Sequence, residues 1–207
     1  MKRIWYENTK IIAGDYSGNG DVFGINAFRD FYAYPVLAGL TVDALRAGLG
    51  KKVPLWFYFD GNGYAKPRNV TPDEYLVNVK CQIYTAIIHG ATGIFFWDDW
   101  SKTPEVFDRL IPIMEDLKQN LEIIKLDTLE KKIDGDKHIV IKGNSKERYI
   151  IASNTSKTDS ITIEPQKGIT LKLAPLETLI TCLKWEHIDS NSVIDDKIIH
   201  TIQTAHL

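Results

Sequence analysis

The spacing of apolar and polar positions changes once along this chain, near Lys125, and the change separates two textures. Before it, short apolar runs alternate with longer stretches of helical period, the pattern of repeated βα units and a parallel sheet. The runs are Asp21 to Asn26 (DVFGIN), Val53 to Phe59 (VPLWFYF) and Thr92 to Trp97 (TGIFFW), with a fourth strand expected at Thr9 to Ala13 (TKIIA). VPLWFYF and TGIFFW are apolar on successive positions, which predicts adjacent strands covered on both faces by helices. Between the first two strands, Val36 to Leu49 predicts a helix stopped by Gly50. Thr71-Pro72-Asp73-Glu74 supplies an N-cap threonine, proline at the first helical position and glutamate at the third. A helix should therefore run from Pro72 to His89 and end at Gly90. Thr103-Pro104-Glu105 repeats the start signal, and Val106, Leu110, Ile113, Leu117, Leu121 and Ile124 mark one helical stripe, with Pro112 as a point of bending.

After Lys125 the chain consists of short β-rich runs broken by turn residues: HIVIKG (138–143), RYIIAS (148–153), SITIEP (160–165), GITLKL (168–173) and ETLITCL (177–183). Repeats of about 8 to 12 residues are the spacing of a small antiparallel sandwich. The expected organisation is an α/β portion over residues 1–126 and an all-β portion over residues 127–207, with no clear period after Lys184.

Composition narrows the function classes. Lys and Arg number 25 against 27 Asp and Glu, so the basic excess expected of a nucleic-acid-binding chain is missing. No run approaches the roughly 18 to 20 apolar residues of a membrane span, and the opening MKRIWYENTKIIAGDYSG lacks the apolar core of a signal peptide. Cys81 and Cys182 show no CxxC or Cys/His spacing, which indicates neither a disulfide framework nor a structural zinc site. His89 falls in the last turn of its helix, where a cation is favoured and a structural role expected. His138, His187, His200 and His206 assemble into no metal pattern.

A closed (β/α)8 barrel needs at least about 200 residues. Residues 1–126 accommodate half of one; an open doubly wound sheet of three or four strands is the alternative. The glycines argue against a phosphate cradle. Gly14, Gly18 and Gly20 precede the DVFGIN strand, while Gly61 and Gly63 are separated from Pro72 by a long loop.

The succession TKIIAGDYSGNGDVFGIN, VPLWFYFDGNGY and TPDEYLVNVKCQIYTAIIHGATGIFFWDDW resembles strands five to eight of the clan A glycoside hydrolase barrels, which include the family 2 and family 42 β-galactosidases. Most specific is TPDEYLVNVKCQIYTAIIHGATGIFFW, similar to a capped helix ending in His-Gly-Ala and leading to the last barrel strand. An all-β portion with a line such as YIIASNTS is also similar to those proteins. The resemblance implies the C-terminal half of a TIM barrel, about strands five to eight, followed by a β-sandwich.

In such barrels the active site lies at the C-terminal ends of the strands. That places Asn26 and the run Phe28 to Tyr34 after strand six, Asp60 and Asn62 after strand seven, and Trp97, Asp98, Asp99 and Trp100 at strand eight. Aromatic faces stack on sugar rings while carboxylates and amides take hydroxyls, so the mixture suits a carbohydrate. The resemblance makes Asp60 the candidate nucleophile, one methylene shorter than the clan's usual glutamate. Its plainer reading is a turn residue in Asp60-Gly61-Asn62-Gly63. Trp97 corresponds to the aromatic that closes the sugar site, against the alternative of a buried tryptophan with its N–H satisfied. Asp98 is preferred to Asp99, and Tyr34-Pro35 resembles the tyrosine-proline that follows strand six.

The implied activity is glycosidic hydrolysis by paired carboxylates without metal or organic cofactor. The general acid would come from strand four, upstream of Met1. The chain is therefore expected to begin partway through its fold, to be inactive alone, and to associate with a second copy or a missing N-terminal half. Rival expectations are a non-catalytic carbohydrate-binding or remnant protein, and an open-sheet α/β enzyme of unrelated chemistry.

Overall fold

The computed structural model describes residues 2–18, 20–26, 28–50, 53–61, 69–97, 104–144 and 147–183. It opens with a helix, α1 (Lys2–Tyr16), where TKIIA predicts a strand. Trp5, Thr9 and Ala13 recur every four residues. Thr9 and Ala13 are buried, and the Trp5 indole N–H donates to Thr41 Oγ1 at 2.7 Å. A five-residue window exposes the apolar run and hides that helical period.

There follow β1 (Phe23–Ile25), α2 (Phe28–Ala33), α3 (Val36–Leu49), β2 (Leu55–Asp60), α4 (Pro72–His89), β3 (Gly93–Trp97), α5 (Pro104–Gln119) and α6 (Leu121–Lys125). The three strands form one parallel sheet in the order β1-β2-β3, with Ile25 opposite Phe57 and Asp60 opposite Trp97. Among the described residues this sheet has three strands rather than the four expected. Helix α3 ends at Gly50 and α4 at Gly90, both left-handed, as the local signals predict. The capping box of α4 is closed: Glu74 N donates to Thr71 Oγ1 at 3.2 Å, and Thr71 N to Glu74 Oε2 at 2.8 Å. The stripe from Leu110 to Ile124 is shared between α5, which contains Pro112, and α6.

Burial in β2 alternates. Leu55, Phe57 and Phe59 enter the helical core, whereas Trp56 and Tyr58 are half-buried on the other face. The expectation of strands buried on both faces is thus corrected. Trp56 and Tyr58 both pack on Phe95 of β3, at ring separations of 4.5 and 5.2 Å, and Phe95 and Trp97 are exposed.

The second half contains β4 (Thr128–Asp134), β5 (Lys137–Gly143), β6 (Arg148–Asn154), β7 (Ile161–Gln166), β8 (Ile169–Leu173) and β9 (Thr178–Leu183). Strands β4-β5-β6-β9 form an antiparallel sheet, and β7-β8 a separate hairpin. All five runs read as strands are strands. The addition is β4, TLEKKID, exposed throughout and charged as suits a sheet edge. One face of this sheet sends Val140, Ile151 and Ile180 into the helical core. The other places Ile139, Ile141, Ile150 and Ala152 against Ile163 and Leu173 of the hairpin.

Helix α4 is the element common to both sheets. Every residue from Cys81 to His89 is buried, as expected of a helix enclosed on all sides. Cys81 Sγ donates to the Asn154 carbonyl at 3.3 Å, and burial pushes its thiol pKa up to about 12. It is a core residue, not a reactive one.

Candidate functional site

Parallel pairing brings the C-terminal ends of β1, β2 and β3 to one edge. Asp60 is the register partner of Trp97, and Gly61 N donates to the Trp97 carbonyl at 3.0 Å. Beside them lies a cleft of about 470 Å3 lined by Gly24, Ile25, Asn26, Tyr58 and Trp97. Glycines let the rings lie across neighbouring strands. A Cβ on Gly24 would come within 2.8 Å of the Tyr58 ring, and one on Gly93 would meet the Trp56 indole. Trp97 is 59% exposed and Asn26 is exposed, so an indole face and an amide are presented to solvent.

Asp60 is placed differently: it is 4% exposed, as the last residue of β2 rather than part of a turn. The Tyr75 hydroxyl of α4 donates to its carbonyl at 3.1 Å. Burial and then the Asp60 charge raise the Tyr75 pKa, which keeps the phenol a neutral donor. Tyr75 stacks on Tyr32 at 5.6 Å between rings, and Lys157 Nζ stands 4.4 Å from the centre of the Tyr32 ring. The Tyr32 pKa is raised by burial and by the Glu74 charge. Asn78 Nδ2 donates to the Tyr32 carbonyl at 3.2 Å and Gln82 Nε2 to Asn78 Oδ1 at 2.6 Å, so a hydrogen-bonded row on α4 supports the α2 segment.

The structure therefore brings Asn26, Asp60 and Trp97 to one edge. Trp97 is not the buried tryptophan of the plainer reading. Tyr34 follows α2, 42% exposed, and does not line the cleft. Asn62, Asp98 and Trp100 lie outside the described residues, as does Asp99. Sequence reasoning missed Tyr58 and Tyr75. Tyr58 was within reach, because it stands two positions before Asp60 and alternation places both on one face.

A second cavity of about 570 Å3 opens at the N-terminal end of β3, lined by Ile87, Thr92, Ile94, Leu117, Leu121 and Lys142 among others. Lys142 Nζ donates to the Leu126 carbonyl at 3.0 Å, and burial lowers its pKa. Among the described residues no cluster of three or more His, Cys, Asp or Glu side chains could hold a metal ion. None of the described helices is long and apolar enough to cross a membrane.

No family model matches the chain, and no curated protein matches it. Among solved structures it is similar to the ligand-free form of cyclic α-maltosyl-(1→6)-maltose hydrolase from Arthrobacter globiformis, with a TM-score of 0.46 and 10% sequence identity. The match covers 89% of this chain and 54% of that one, so the chain spans about half the length of that structure.

Proposed function

We propose that this chain is a glycoside-hydrolase-like protein carrying a carbohydrate subsite at the C-terminal edge of its parallel sheet. The observation that carries the reading is the cleft at Trp97, where an exposed indole, the Tyr58 ring and the Asn26 amide converge. Aromatic rings take the apolar faces of sugars, and amides take their hydroxyls. Three parallel strands with helices against Leu55, Phe57 and Phe59, and with aromatics half-buried or exposed on the opposite face, support a finer proposal. Residues 1–126 carry the last three strands, β1 to β3, of a (β/α)8 barrel rather than a full half, and residues 127–207 are an appended β-sandwich. Pairing with a segment that supplies the other five strands would complete the barrel and bring a general acid opposite Asp60, whereas a second copy of this chain would supply only three more strands.

One observation favours non-catalytic sugar binding: Asp60, at 4% exposure, is poorly placed to reach an anomeric carbon. Titration calorimetry with glucose- and galactose-based oligosaccharides tests the subsite. Trp97→Ala should weaken binding about tenfold, the scale of one lost stacking contact, with the thermal midpoint nearly unchanged. Equal affinity of wild type and Trp97→Ala would overturn the subsite. Turnover of chromogenic aryl glycosides that disappears in Asp60→Asn would select hydrolysis over binding.

A further inference from the structure

His89 and His138, 49 positions apart, meet in the interior. His89 Nδ1 lies 2.7 Å from Asp43 Oδ2 on α3, and its Nε2 lies 2.9 Å from His138 Nδ1 on β5. His138 Nε2 is 3.3 Å from Thr155 Oγ1, which donates to Asp136 Oδ1 at 2.8 Å. Lys131 of β4 donates to the other Asp43 oxygen at 3.1 Å. Gly39 on α3 makes the room, since a Cβ there would stand 2.5 Å from the His89 ring. His89 is 7% exposed and His138 is fully buried, so water does not substitute for a missing partner.

The protons of this row can be counted. Four hydrogen bonds run from Asp43 through His89, His138 and Thr155 to Asp136, and each needs one proton. Ionised carboxylates bring none, a neutral imidazole brings one, and a threonine hydroxyl brings one. Two neutral imidazoles and Thr155 supply three, which leaves one bond unmade. We propose that His89 and His138 together hold one additional proton, forming a singly charged clasp between Asp43 and Asp136 that ties α3 and α4 to the antiparallel sheet in a pH-dependent way.

Two placements of that proton satisfy every bond, and the surroundings choose between them. His89 touches a carboxylate, whereas His138 touches only an imidazole and a hydroxyl. The charged groups around the pair are Asp43 from α3, Lys131 from β4, Lys2 from α1 and Asp136 from the turn before β5. Burial first, then the charge of His89, hold the His138 pKa down at about 3. Burial alone would raise the Asp43 pKa, but the hydrogen bond and charge of His89, with Lys131, keep it below the ordinary value. The 2.7 Å contact with the Asp43 carboxylate places the additional proton on His89, which donates from Nδ1 to Asp43 and from Nε2 to His138. His138 is neutral and donates from Nε2 to Thr155.

The count has a consequence for stability. In the unfolded chain each histidine titrates near 6.5, so the two together bind one proton at that pH, the same number as the clasp. Above it the unfolded chain binds fewer protons than the clasp, and stability falls as pH rises. Below it the unfolded chain binds more, and stability falls as pH drops. The clasp therefore contributes most near pH 6.5.

The test is the nitrogen spectrum of the wild-type imidazoles at pH 7.5, where free histidines are largely neutral. His89 should show two protonated ring nitrogens and His138 only a protonated Nε2. Two neutral rings at that pH would overturn the proposal, and this readout needs no variant to fold. The thermal midpoint against pH should also peak more sharply near 6.5 in the wild type than in His138→Gln. Superimposable profiles would overturn it equally.

Discussion

The parallel sheet and the four-stranded antiparallel sheet share α4 and differ in what lies on their other face. The antiparallel sheet is enclosed: Val140 and Ile151 meet the helices, and the β7-β8 hairpin closes over Ile139, Ile141, Ile150 and Ala152. The parallel sheet buries Leu55, Phe57 and Phe59 against helices, while Trp56 and Tyr58 stay half-buried and Phe95 and Trp97 are exposed. The enclosed faces of the antiparallel sheet are aliphatic, whereas the enclosed face of β2 sets Phe57 and Phe59 beside Leu55, and what all of these contribute is burial. The open face of the parallel sheet carries aromatic rings, whose flat faces also bind ligands and partners. An apolar run therefore marks a strand in both cases, but position within the run, not residue type, separates cover from contact surface: Phe57 and Phe59 are enclosed while Trp56 and Tyr58 alternate onto the open face.

The largest test of this contrast is Phe57→Ala, at a position 1% exposed. It should cost about 3–5 kcal/mol in urea unfolding, and a similar loss from Trp97→Ala would break the contrast. Acidification comes next and bears on the join between the sheets. The folded pKa of His138 lies below 6.5, so its contribution is complete above that pH and is lost as pH falls toward about 3. Asp43 adds to the loss only below its unfolded value of 3.8, as pH falls through the lower folded value, so the window above pH 4 belongs to His138. The circular-dichroism melting midpoint should therefore fall steadily from pH 6.5 to 4, and a flat profile would remove the histidine row from the account.

Thr71→Ala opens the capping box of α4 and should cost about 1 kcal/mol. Because α4 packs on both sheets, calorimetry should show one lowered transition. Two transitions would mean that the sheets do not depend on each other through this helix. The smallest effect belongs to Trp97→Ala, which at 59% exposure should change stability by no more than about 0.5 kcal/mol. Its effect should appear in oligosaccharide affinity instead.

Much of this architecture was legible because it is set by neighbours in sequence. Caps and stop signals are local, so α3 and α4 fall where Gly50, Thr71-Pro72 and Gly90 place them. Alternation and turn residues likewise locate β5 to β9. The common edge of Asn26, Asp60 and Trp97 follows once three strands run parallel, since their C-terminal ends then coincide. Other features required the fold. Helix α1 depends on burying Trp5, Thr9 and Ala13 against α3, a partner distant in sequence. The polar strand β4 exists because β5 supplies its hydrogen-bond ladder, not through any apolar pattern of its own. The burial of Asp60, its Tyr75 support and the meeting of His89 with His138 are contacts between separate elements. Periodicity in sequence records which face of an element is apolar; what that face meets is decided by packing across the chain.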